Sequence, residues 1–203
     1  PSGQKESGLY DSANIPLPKE IERWNNYDLT AYNKLIYIIP RSLEGSEKEN
    51  RKSMFAFSPE SCSWEEIKIP IEDLTYDGLP LLKYVMDMTA CVKDGKLLLL
   101  LTGSSVSDEV LSVLVSMDAD RNFNVLGVQS FSTVNPILGT MVSDGSDLYL
   151  AGGYAANNPD ATGGHISSLI SRLEVGSSLE IRLVPIGTML VPRVMPRVSC
   201  ANG

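Results

Sequence analysis

The sequence predicts an all-β chain of stacked four-stranded antiparallel units, and three observations carry that prediction. A short run of small and apolar residues leads into a turn four times, at residues 28–32, 87–91, 137–141 and 196–200. The first two share Asp-(Leu/Met)-Thr-Ala, as Asp28-Leu29-Thr30-Ala31 and Asp87-Met88-Thr89-Ala90. A recurring period of this length marks repeated supersecondary units. After each of the first three runs come a turn, an apolar strand, a polar stretch and two further strands. No long 3.6-residue periodicity competes with this pattern.

The elements follow in order. Residues 1–23 are polar and rich in Gly, Ser and Pro, and read as a linker or tail with one possible helical turn at 18–24. The first unit, 24–83, has strands at 29–32, 35–39, 54–57 and 64–69, with Asn33-Lys34 as a two-residue connection. The second, 84–135, has strands at 88–92, 96–101, 113–115 and 123–128, and its Asp94-Gly95 is a strong hairpin signal. The third, 136–195, has strands at 139–142, 147–151, 169–173 and 179–183. Residues 196–203 read as the innermost strand of a further unit. The uninterrupted apolar run 97–101 requires burial on both faces, as when sheets stack on sheets. Four-stranded antiparallel units in series are the plan of a β-propeller, here about three blades and the first strand of a fourth, an incomplete ring.

Composition narrows the function. Seventeen basic residues against 25 acidic ones leave a net charge of −8 and a pI near 4.7. That balance argues against nucleic acid, which needs a Lys/Arg footprint, and against anionic membrane surfaces. No apolar run reaches spanning length, so no membrane insertion is expected. Three cysteines are too few for a disulfide framework; Cys91 and Cys200 share a repeat position and read as buried, inert thiols. The missing Asn-X-Ser/Thr sequons lean towards an intracellular setting.

Chemistry-bearing motifs are sparse. His165, the one histidine, falls in a Gly-rich loop and reads as an exposed loop residue rather than a catalytic base. No zinc, calcium or phosphate-loop spacing occurs, so no metal, cofactor or catalytic residue is expected. Asp28 and Asp87 are the notable carboxylates. Each precedes an inner strand at one repeat position, where two acids could face a ligand in the channel or could each brace a tight turn through backbone N–H groups. Arg193 and Arg197, with Arg41 at the end of a second strand, suit bidentate capture of a carboxylate. The long loop carrying Tyr154, Asn157 and Asn158 is the other candidate binding surface.

Several of these segments resemble the kelch repeat. Phe57-Ser58-Pro59-Glu60-Ser61-Cys62-Ser63-Trp64 is similar to the turn between the third and fourth kelch strands. Leu148-Tyr149-Leu150-Ala151-Gly152-Gly153 resembles its second strand with the closing glycine pair, and Pro192-Arg193 and Pro196-Arg197 the dipeptide that opens the next unit. Pro40-Arg41 and Thr102-Gly103 depart from the glycine pair, and Phe123 and Leu179 from the Trp. A sialidase-like propeller is the neighbouring resemblance, with residues 58–64 as a shortened Asp-box. The kelch resemblance implies a non-enzymatic scaffold that holds a protein or peptide on its rim loops. The sialidase-like alternative implies a catalytically inactive carbohydrate-binding propeller, and a third reading is a structural subunit of a large assembly. Three units cannot close a ring, so the remainder of the propeller or a second chain is expected as a partner.

Overall fold

The leucine run behaves as its composition demands. In the computed structural model, which describes residues 16–22, 26–41, 53–130, 139–155 and 165–200, Lys96–Ser104 forms one strand, buried from Leu97 onward. Alternate side chains of a strand point to opposite faces. Leu97, Leu99 and Leu101 therefore enter one apolar core, while Leu98 and Leu100 enter a second.

Three four-stranded antiparallel sheets are built this way. Blade 1 comprises β1 (Tyr27–Tyr32), β2 (Leu35–Pro40), β3 (Ser53–Ser58) and β4 (Ser63–Lys68). A small hairpin, β5 (Thr75–Tyr76) and β6 (Leu79–Pro80), leads to blade 2: β7 (Tyr84–Lys93), β8 (Lys96–Ser104), β9 (Val110–Met117) and β10 (Phe123–Ser130). Blade 3 takes β11 (Thr140–Ser143) and β12 (Leu148–Ala151). After the two-stranded β13 (Tyr154–Ala155) and β14 (His165–Ile166), it is completed by β15 (Leu169–Val175) and β16 (Ile181–Thr188). Each blade pairs its four strands in chain order. The short helix α1 (Lys19–Glu22) precedes blade 1 and sets Ile21 against Ile38 and Phe55.

Local chemistry closes the hairpins. Asn33 and Lys34, Asp77 and Gly78, and Asp94 and Gly95 all have positive φ at both central positions. That is the primed turn, whose twist matches the flanking strands. The longer β11–β12 turn uses Asp144 instead, whose carboxylate accepts the Ser146 and Asp147 N–H groups and the Tyr149 hydroxyl. These bonds, that from Asp147 foremost, hold its carboxyl below the usual carboxylate range. Between blades 1 and 2, the Tyr32 hydroxyl donates to the Gly95 carbonyl at 3.1 Å and Arg121 grips Glu65 with two N–H groups.

Four expectations need correction. β7 begins at Tyr84 rather than at residue 88, extended by a register shift between Val85 and Asp87 that lets Val85 and Met88 both enter the first core. β16 begins at Ile181, because Leu179 has φ +60° and belongs to the preceding turn. Residues 196–200 form no strand, and residues 201–203 lie outside the described part. Cys200 is exposed, as is Cys62; of the three thiols Cys91 alone is buried.

Two outcomes follow. Burial pushes the Cys91 thiol up to about 12, so it carries no thiolate at neutral pH. Alkylation at pH 8 should label Cys62 and Cys200 and spare Cys91 until denaturant is added, as read by peptide mass mapping. A Cβ on Gly103 would stand 2.1 Å from the Tyr84 carbonyl oxygen across the β7–β8 pair. Gly103→Ala should therefore cost about 1–3 kcal/mol, measured by urea unfolding.

Candidate functional site

Hairpin register places the two carboxylates at different heights. Tyr32 pairs with Leu35 across one primed turn, and Lys93 pairs with Lys96 across the other. Counted back from these turns, Asp28 matches Thr89. Asp87 lies two residues further from its turn, about 7 Å along the strand. The shared Asp-x-Thr-Ala peptide is thus slid by two residues between blades 1 and 2. Both acids also sit inside their strands rather than ahead of them, which corrects the reading of a common repeat position and of turn-bracing roles.

Arg41 explains the offset. Its N–H donates to the Asn26 carbonyl at 3.0 Å, which sets it one residue past β2, level with Asp87. The guanidinium then contacts Asp87 at two points, Nε to Oδ1 at 3.0 Å and Nη2 to Oδ2 at 3.1 Å. Nη1 donates to Asp28 Oδ2 at 2.8 Å, and Nη2 also donates to the Gly139 carbonyl. Thr89 adds a parallel link: its hydroxyl donates to Asp28 Oδ2 at 2.9 Å and accepts the Met141 N–H at 3.0 Å. Blades 1, 2 and 3 converge on these few atoms. Arg41 is therefore a buried hub, not a rim residue.

Burial separates the two acids. The Arg41 and Asp87 side chains are 1% and 3% exposed, whereas Asp28 is 23% exposed. Asp28 Oδ2 carries both protein bonds, and Oδ1 has no protein partner among the described residues. Asp28 is the one carboxylate of the cluster that a solute can reach, at the end of the blades where β1 and β7 begin. Tyr27 and Tyr84, the first residues of those strands, and Tyr76 and Leu79 of the preceding hairpin are exposed at this same end.

The remaining candidates are not drawn into the cluster. Arg193 and Arg197 are exposed, and the Arg193 backbone ties Gly153 and Ser167 together. Tyr154 lies in β13 and His165 in β14, with their side chains undescribed. Asn157 and Asn158 lie outside the described residues. Among the described residues no group of three His, Cys, Asp or Glu side chains is placed to hold a metal, and no helix is long and apolar enough to cross a membrane. At the opposite end, between blades 2 and 3, is a groove of about 540 Å³. Its floor includes Leu98, Leu114 and Leu173, and its rim charges include the Lys93–Asp94 and Arg172–Glu174 pairs.

No protein-family profile and no curated protein matches the sequence. Among solved structures, the GH43_1 enzyme from Xanthomonas citri complexed with xylotriose superposes with a TM-score of 0.50 at 13% identity. The match covers 79% of this chain and 57% of that one. The fold is a β-propeller. At this identity the likeness is one of fold, and the chain spans little more than half of that enzyme's length. It overturns one expectation all the same. A non-enzymatic role was inferred from a kelch-type scaffold, and an enzyme has the same architecture. Function resides in side chains carried by a fold, so the propeller plan is no argument against catalysis.

The hub predicts a clear energetic asymmetry. Arg41→Met should destabilise by about 3–5 kcal/mol, because it strands the buried Asp87 carboxylate. Adding Asp87→Leu should recover much of that loss. Urea unfolding of the single and double variants checks both.

Proposed function

We propose that the chain recognises a carbohydrate at the mouth of the channel, with Asp28 as the group that meets the ligand. The carrying observation is the half-engaged Asp28 carboxylate: Oδ2 is anchored by Arg41 and Thr89, and Oδ1 is left for a ligand. An anchored carboxylate is a strong acceptor for hydroxyl donors, since bonds to an ionised group exceed neutral ones. Its orientation is fixed before the ligand arrives, which lowers the ordering cost of binding. The exposed Tyr27, Tyr76 and Tyr84 at this end offer apolar ring faces with polar tips, suited to the mixed surface of a sugar. A protein of the same fold was solved with xylotriose, which supports the ligand class.

A peptide-holding rim of kelch type is the second reading. It is favoured by Arg193 and Arg197, both exposed and without an ion pair among the described residues. An acidic peptide is the matching ligand, and Arg193→Glu with Arg197→Glu should abolish its binding.

Calorimetric titration with xylotriose and a panel of neutral and acidic oligosaccharides tests the first reading. Binding that Asp28→Asn weakens about tenfold or more, with Arg193→Glu leaving it intact, is the expected result. Product analysis of the same mixtures reports any hydrolysis. Absence of binding at millimolar concentration across the panel would end the carbohydrate reading.

A further inference from the structure

The groove between blades 2 and 3 is floored by the same apolar layer that joins those blades. Leu98 and Leu114 of blade 2 and Leu148 and Leu173 of blade 3 belong to the second core and also line the groove. A bulge in β10 adds to this floor. The β9–β10 register shifts between Val125 and Gly127, so Leu126 and Gly127 together oppose Leu114. Such a bulge re-aims a side chain. Here Leu126 reaches the groove, while Gly127 leaves room for Ile181 of blade 3. The volume of about 540 Å³ lies within the range of ligand pockets, roughly 300–1,000 Å³.

Six charged side chains rim the groove, three basic and three acidic. Four of them satisfy one another: Lys93 Nζ meets Asp94 Oδ2 at 2.8 Å, and Arg172 Nε donates to Glu174 Oε1 at 2.9 Å. Lys96 and Asp147 remain, one on each wall, and neither has an ion pair among the described residues. Lys96 is exposed and stands directly across the hairpin from Lys93, and like charges so placed destabilise a sheet. Its acidic neighbour Asp118 is already engaged by the Asn122 side chain and by the Asp120 and Asn122 N–H groups. The Asp147 backbone is fixed, its N–H donating to Asp144 Oδ1 at 2.7 Å and its carbonyl accepting the Asp144 N–H at 3.4 Å. Its half-buried carboxylate has no hydrogen bond among the described residues.

The geometry points to a second binding site in this groove, for an extended peptide segment that carries an apolar side chain between an acidic and a basic one. The apolar side chain enters between the leucines, the acidic group meets Lys96 and the basic group meets Asp147. Charge decides the class of ligand. A ligand of one sign would satisfy one wall and be repelled by the other, which disfavours nucleic acid and polyphosphates. A neutral sugar would leave both charges unmet and set hydroxyls against leucines. Alternate side chains of an extended peptide share a face about 7 Å apart, so Glu-x-Leu-x-Lys turns all three groups to the groove. The site uses none of the residues around Asp28 and stands apart from the carbohydrate reading.

Fluorescence anisotropy of the 203-residue chain with three labelled probes tests this. The mixed probe is Gly-Glu-Ser-Leu-Ser-Lys-Gly, and the other two carry Glu or Lys at both charged positions. The mixed probe should bind below millimolar concentration, about fivefold or more tighter than either single-sign probe. Serine in place of its leucine should weaken it about tenfold or more. Lys96→Glu makes both walls acidic and should shift the preference to the Lys/Lys probe, whereas Asp147→Lys should shift it to the Glu/Glu probe. Loss of fold cannot produce two opposite shifts. A variant that loses its native circular dichroism is replaced by Lys96→Gln, which should bind the mixed and Lys/Lys probes alike, or by Asp147→Asn, which should bind the mixed and Glu/Glu probes alike. The proposal is overturned if the mixed probe fails to bind at millimolar concentration, if the three probes bind equally, or if either substitution leaves the preference unmoved.

Discussion

A guanidinium enclosed at the meeting point of three sheets constrains everything around it. Arg41 is 1% exposed, so its charge must be met by protein atoms alone. Leaving such a charge unpaired costs several kcal/mol. Its partners come from all three blades: Asp28 from β1, Asp87 from β7 and the Gly139 carbonyl ahead of β11. Each bond has a preferred length and direction, so the three inner strands hold their relative heights while it persists. The Thr89 hydroxyl repeats the linkage, donating to blade 1 and accepting from blade 3.

The apolar layers do a different job. Hydrophobic burial is non-directional and scales with area, so it brings blades together without specifying how far one slides against the next. The leucines of β8, divided between two cores, show the consequence: blade 2 must be covered on both sides. The same logic bears on blades 1 and 3, each with one face inside a core and one rich in aliphatic and aromatic side chains. Sliding is opposed by the polar cluster at one end and the turn contacts at the other, where Tyr32 reaches Gly95. Gly127 adds a steric stop, since a Cβ there would approach Ile181 to 2.7 Å.

Local chemistry was legible in the sequence, and relations between blades were not. Asp94-Gly95 announced its hairpin because few residue pairs accept two positive φ values in succession. Leu97 to Leu101 announced a doubly covered strand because neither alternation nor helical spacing fits it. The cluster escaped for two physical reasons. Asp28 and Asp87 shared a peptide, and equal sequence suggested equal height, but strand pairing is counted from the turns and the peptide slid by two. Arg41 stood where a glycine pair was expected, so it registered as a departure from a pattern rather than as the partner of acids 13 and 46 positions away. An Arg at the end of an otherwise apolar strand, in a chain with two unassigned carboxylates, was the signal available.

Two aspartates bound to one guanidinium nonetheless have different prospects. Stability alone does not account for the arrangement, since well-packed apolar side chains of similar volume often replace a buried ion pair with no loss. Both Asp87 oxygens are engaged within the interior, which suits a group that fixes blade 1 to blade 2. Asp28 shares the guanidinium, yet its side chain stays 23% exposed and both of its protein bonds go to Oδ2. Its engaged oxygen holds the carboxylate still, and the neighbouring backbone is locked by the same bonds. One guanidinium thus joins a buried carboxylate and a partly exposed one in a single network. The propeller fold as such assigns neither role; what divides them is burial, 3% exposure for Asp87 against 23% for Asp28.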